Sequence, residues 1–155
     1  MILGLISDTH GLLRASALRA LRGATLIIHA GDVGKREILK KLDTIAPVVV
    51  VRGNVDVEDW CAQLPGAAQT EIKNVKIYVV HDLNDLKIDP VVLGVSIVVS
   101  GHSHKPGQTV RDGVLYINPG SAGPRRFKLP ITVARLDLSR KPWKVEFIDV
   151  SEDEA

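Results

Sequence analysis

The residues of this chain best suited to chemistry come in short clusters. Asp8 and His10 lie in "SDTHG", Asp32 in "AGDVG", Asn54 and Asp56 in "RGNVD", His81 in "VVHD", and His102 and His104 in "SGHSH". Oxygen and imidazole donors of this kind suit Mn, Fe, Co, Ni and Zn, whereas a lone Mg site favours oxygen alone. The set holds more donors than one ion can use, and two ions sharing a bridging carboxylate is the count that fits. Ions about 3.5 to 4 Å apart lower the pKa of a shared water and stabilise charge on both the attacking and leaving atoms of an in-line displacement. The chemistry expected is hydrolysis of a phosphate ester by a bridging hydroxide, with no Ser, Cys or His nucleophile.

Each cluster follows an apolar run, so the elements that position them can be read outward from it. Residues 2–7, "ILGLIS", read as a buried strand, "LLRASALRALRG" as a helix stopped by Gly23, and "TLIIHA" (25–30) as a second strand. "KREILKKLDTI" is an amphipathic helix and "PVVVVRG" (47–53) a third strand. Near-continuous apolar strands separated by helices predict a parallel βαβαβ sheet. Beyond residue 66, "AQTEIKNVKIYVVHD" predicts two strands around a Lys73-Asn74 turn. A helix is expected over about 85–94, then a buried strand at "VSIVVSG". "GQTVRDGVLYINPGS", "ITVARLDLS" and "KPWKVEFIDV" show the alternation and the Asp-Gly turn of antiparallel strands. In open α/β sheets functional groups collect beyond the carboxyl ends of the strands, so five separated loops can meet there.

The motifs "DTH", "GD", "GN", a strand-ending His and "GHSH", in this order from residue 7 to about 121, resemble those of the calcineurin-like metallophosphoesterases, in particular their small prokaryotic phosphodiesterase branch, the YfcE type. "NPGS" at 118–121 also matches a loop of that branch. The resemblance implies an α/β fold in which a two-layer β-sheet sandwich is flanked by helices (α/β/β/α), the C-terminal part being largely antiparallel. It also implies that Asp8, His10, Asp32 and His104 hold one divalent ion and Asp32, Asn54, His81 and His102 the other, with Asp32 as bridge. Manganese is the expected metal, with Ni, Fe, Co, Zn and Mg as alternatives. Catalysis would then rest on Asp32, Asn54 and His81 through the hydroxide, and Asn54 would also meet substrate.

Two departures bear on substrate. Larger members of the superfamily carry a His directly after the "GN" asparagine to protonate the leaving group; Val55 stands there and donates nothing. A general acid contributes about 10² to 10⁴ in rate, so small or activated phosphodiesters are expected over alkyl monoesters. Asp82 replaces a glycine common in relatives; it is either an acceptor for His81 or a turn residue. Asp56 either orients a neighbouring ligand or a bound water, or caps a short helix beginning near Glu58. Arg125 and Arg126 either reach a substrate phosphate or are solvated surface. His29, inside its strand, needs only a hydrogen-bond partner.

Composition sets the outer bounds. The chain has 155 residues, 45% hydrophobic, 25% charged and only 4% aromatic, with a net charge of +2, so a base-stacking nucleic-acid binder has little to work with. The apolar start is too short for a membrane span or signal peptide. The single Cys61 excludes an internal disulfide, reads as an inert or surface thiol, and fits the cytoplasm. One domain over 1–150 with a frayed acidic tail at 151–155 is expected; a homo-oligomer is possible. The rival to the hydrolase is a metal-binding scaffold like a retromer subunit of the same fold. A phosphomonoesterase or cyclic-nucleotide phosphodiesterase is a further alternative.

Overall fold

The computed structural model describes residues 1–151, so the expectation for the end of the acidic tail lies outside the described residues. The N-terminal half runs β1 (Ile2–Ile6), α1 (Ala15–Leu21), β2 (Leu26–His29), α2 (Arg36–Asp43) and β3 (Val48–Val50). β1, β2 and β3 are parallel, as their uninterrupted apolar runs require. β4 (Ala67–Ile72) and β5 (Val75–Val80) form a hairpin whose Lys73 and Asn74 both have positive φ, the backbone of a type I′ turn. β6 (Ile97–Val99) follows, then β7 (Gly107–Arg111) and β8 (Val114–Asn118) around Asp112-Gly113, also at positive φ, and finally β9 (Thr132–Asp137) and β10 (Lys144–Asp149).

These strands form two five-stranded sheets, in the orders β10-β9-β1-β2-β3 and β4-β5-β6-β8-β7. The second sheet is antiparallel only at its edges; its centre, β5-β6-β8, is parallel. The last two strands return to the first sheet, where β9 pairs antiparallel with β1. Leu3, Leu5 and Ile28 of one sheet pack between the layers on Ile77, Val79, Ile97, Val99 and Ile117 of the other. The helices cover the far side of the first sheet, where Ala17, Leu21, Ile38 and Leu42 meet Ile6 and Ile27.

The helix expected over 85–94 does not form. Leu83–Asp85 is a single 3₁₀ turn, and Asp89 Oδ1 accepts from the N–H groups of Val91 and Val92, closing one further turn. Pro90 lacks a donor, two valines follow it, and Gly94 at positive φ ends the segment. Turns carrying Leu86 and Ile88, rather than a helix, therefore cover part of the outer face of the second sheet. Among the described residues no helix is long and apolar enough to cross a membrane.

Candidate metal centre

The five loops after β1, β2, β3, β5 and β6 converge at one end of the sandwich. Backbone bonds sew the first two together, with Asp8, His10 and Gly11 donating to the carbonyls of Gly31, Asp32 and Val33 at 2.9 to 3.0 Å. Gly101 donates to the His81 carbonyl at 2.9 Å, joining the loops of the second sheet. Asp8, His10, Asp32, His102 and His104 all have φ between 47° and 72°. That left-handed region is uncommon for residues other than glycine, and such conformations persist only where surrounding contacts hold them.

Asp8 Oδ1 is the hub. His104 Nε2 lies 3.3 Å from it, and His10 Nε2 and His81 Nε2 each 3.8 Å. Asp32 Oδ2 is 3.2 Å from His81 Nε2 and 3.6 Å from His10 Nε2. Two groups have donor atoms within 4.8 Å of one another, Asp8 with His10 and His104, and Asp8 with Asp32 and His81. Asp8 thus belongs to both groups. Asn54 Oδ1 is 3.1 Å from His81 Nε2. The two histidines of "GHSH" part company: the His104 ring lies 5.4 Å from that of His10, and the His102 ring 5.3 Å from that of His81.

A fit to divalent ions rests on atoms left without partners. Asp8 Oδ1, His10 Nε2 and His104 Nδ1 are buried and make no hydrogen bond. Orphaned buried polar atoms carry a desolvation cost that an ion would relieve. Burial pushes the Asp8 carboxyl up, but the close approach of His104 and Ser7 and the charges of His81 and His104 leave it below its ordinary value. For Asp32, burial is likewise outweighed, here by His81 and the Val55 N–H, and its pKa falls to about 2. His81 loses to burial and gains more from Asp32, Asp8 and the Ala30 carbonyl, rising to about 9. Burial pulls His10 down, against the opposing carboxylates of Asp32 and Asp8. Both aspartates are therefore ionised at neutral pH, and an ion binding at His81 displaces a proton.

The supporting residues resolve several open readings. Asp56 does not cap the turn that starts at Asp59. Its carboxylate accepts from the N–H groups of Asp32, Val33, Gly34 and Gly53 at 2.9 to 3.2 Å, binding two ligand loops to each other. Asp82 serves the turn, accepting from Asn84, and its other oxygen lies 3.5 Å from His102 Nε2; the acceptor for His81 is the Ala30 carbonyl at 2.7 Å. Val55 acts through its backbone, its N–H donating to Asp32 Oδ1 at 3.0 Å. Arg125 donates to Leu129 within its own loop, whereas the charge of Arg126 acts on His10. Cys61 is buried, and burial pushes its thiol up.

His29 has the hydrogen-bond partners expected of it, whereas sequence reasoning missed the loops those partners join, Ser7, and the task of Asn118. The Thr9 hydroxyl donates to the Val33 carbonyl, so His29 Nε2–H must donate to Thr9 Oγ1 while Nδ1 accepts from the Gly31 N–H. A neutral imidazole in a fixed tautomer thus braces the loops of Asp8 and Asp32. The Ser7 hydroxyl holds Asp8 Oδ2 at 2.6 Å. Asn118, read only as part of a turn, donates to Gly101 O and Ser103 Oγ and so supports the "GHSH" loop. The one usable signal was the polarity of these residues beside apolar strands.

Comparison with known proteins agrees with this geometry. The calcineurin-like phosphoesterase superfamily domain matches residues 1–141, and the chain belongs to that family. It is 34% identical over 150 residues to a probable metallophosphoesterase of Methanothermobacter thermautotrophicus, covering 88% of this chain and 87% of that one. Among solved structures it is similar to Vps29 of Entamoeba histolytica (25% identity, TM-score 0.73, 96% and 99% of the two chains). It also shares its fold with an archaeal phosphodiesterase (23% identity, TM-score 0.74, 96% and 100%).

Proposed function

We propose that this phosphoesterase-family chain is a phosphodiesterase acting on small or activated phosphodiesters with two divalent ions, manganese in the first place, in a reducing compartment such as the cytoplasm. The observation that carries the reading is Asp8 Oδ1, which makes no hydrogen bond and is ringed by the Nε2 atoms of His10, His81 and His104 at 3.3 to 3.8 Å. Asp8, His10, Asp32 and His104 would hold one ion, and Asp32, Asn54, His81 and His102 the other. When bound, such ions supply an acidified water and neutralise charge developing on the phosphoryl group. Asp8 and Asp32 remain ionised to receive them, and Asp56 fixes the Asp32 and Asn54 loops in relation to each other. Arg126 brings positive charge to the His10 side of the site. Val55 gives the leaving group no proton, which favours diesters with good leaving groups.

The scaffold reading has its own observation. Val91, Val92 and Leu93 are exposed on the turn before β6, at the end of the strand opposite the metal-ligand loops, and the fold is shared with Vps29. Hydrolysis of bis-p-nitrophenyl phosphate and of p-nitrophenyl phosphate by metal-stripped protein resupplied with Mn²⁺ separates the two. Diester turnover that exceeds monoester turnover, needs Mn²⁺ and falls at least roughly 100-fold in Asp32→Asn is expected. No turnover above that variant with Mn²⁺ bound would put the scaffold first.

A further inference from the structure

Beside His102 a groove of about 370 Å³ opens on the outer face of the second sheet and runs down β7 and β8. Its upper end is bounded by His102, Asp82 and Leu83, and its lower part by Thr109, Arg111 and Tyr116. The position of these side chains follows from strand register. Tyr116 and Asn118 lie two residues apart on one face of β8, a step of about 7 Å, and Thr109 of β7 pairs with Tyr116. Asn118 is fastened to Gly101 and Ser103, in the loop that carries His102 and His104. The groove thus meets the candidate metal centre at His102, the one candidate ligand in its lining.

At its lower end the Arg111 guanidinium lies 4.2 Å over the Tyr116 ring. The guanidinium is planar and cationic, and it attracts a further π system by stacking and cation–π attraction. Lys105 adds a second cation, and Leu83 supplies apolar wall, the mixture that small-molecule sites use for orientation and contact. A chain with only two tyrosines, two phenylalanines and two tryptophans has placed one of its few rings here.

We propose that this groove seats one ester arm of the phosphodiester substrate, and that the arm carries a planar heteroaromatic ring, as a nucleoside does. The inference rests on the hydrolase reading above. Arg111 and Tyr116 are its specificity-determining residues: the phosphoryl group sits at the ions, a pentose spans the step from Asn118 to Tyr116, and the base stacks on the Arg111 guanidinium.

The test is calorimetric binding of thymidine 5′-monophosphate and of its abasic tetrahydrofuran analogue, 1,2-dideoxyribose 5-phosphate, to the Mn²⁺-loaded protein, two probes that differ only in the base. The nucleotide is expected to bind roughly tenfold tighter or more. In Arg111→Ala and in Tyr116→Leu that ratio is expected to fall toward one. Arg111→Lys, which keeps the charge but loses the flat face, should lose it as well. Equal binding of the two probes by the wild-type protein would overturn the proposal, and so would a ratio retained in full by Arg111→Lys. Bis-p-nitrophenyl phosphate turnover in the same preparation separates the two levels. Turnover without discrimination removes the groove and leaves the hydrolase; discrimination without turnover removes the hydrolase and leaves a nucleotide-binding groove.

Discussion

His29 shows how a single buried group supports a site it does not enter. It is fully buried, burial lowers its pKa to about 4, and both ring nitrogens are committed to the loops of Asp8 and Asp32. An unfolded histidine titrates near 6.5, so between the two values the unfolded chain binds a proton that the folded chain refuses. Its contribution is present above about pH 6.5 and is lost as pH falls toward 4, amounting to about 3 kcal/mol over that window. In urea unfolding of the metal-free protein, the stability advantage of wild type over His29→Gln should shrink on acidification from pH 7 to 4. A constant difference would show that His29 is not held neutral.

At the scale of the element, the ligand loops are short and their backbones touch. Gly53 follows β3 so closely against the Asp32 loop that a Cβ there would overlap the Asp32 carboxylate and backbone nitrogen. Gly101 is confined in the same way by Ser7 Oγ and the Asp8 carboxylate. Gly53→Ala should leave the strands paired while shifting Asp32. Mn²⁺ affinity, titrated by calorimetry, is expected to drop roughly 10- to 100-fold, the usual cost of disturbing a group that orients a ligand. Unchanged affinity would mean that Asp32 does not hold an ion from its present position.

For the whole molecule, what matters is that the donors come from both layers. Asp8, His10 and Asp32 follow strands of the first sheet, whereas His81, His102 and His104 follow strands of the second. An ion held across that seam binds only when the sheets are stacked. Mn²⁺ at about a hundred times its Kd should therefore raise the unfolding free energy by about 2.7 kcal/mol for each site filled. Denaturation with and without Mn²⁺ reads this shift, and Asp32→Asn should lose most of it. An equal response in both proteins would place the ion elsewhere.

The sequence alone determined the strands and both hairpin turns and named the candidate donor set, because each depends on local chemistry. Apolar runs of strand length, paired left-handed turn residues at Lys73-Asn74 and Asp112-Gly113, and polar residues after strand ends all operate within a few positions of the chain. Tertiary structure alone decided that Asp8 is the hub, that Asp56 joins two loops instead of capping a turn, and that Asp82 faces His102 and not His81. It also brought β9 and β10 back to the first sheet and left turns where a helix was expected over 85–94. The physical reason is separation along the chain. These outcomes rest on contacts such as Asp32 with Asp56, or Asn118 with Gly101, between residues that only the stacking of two sheets makes neighbours.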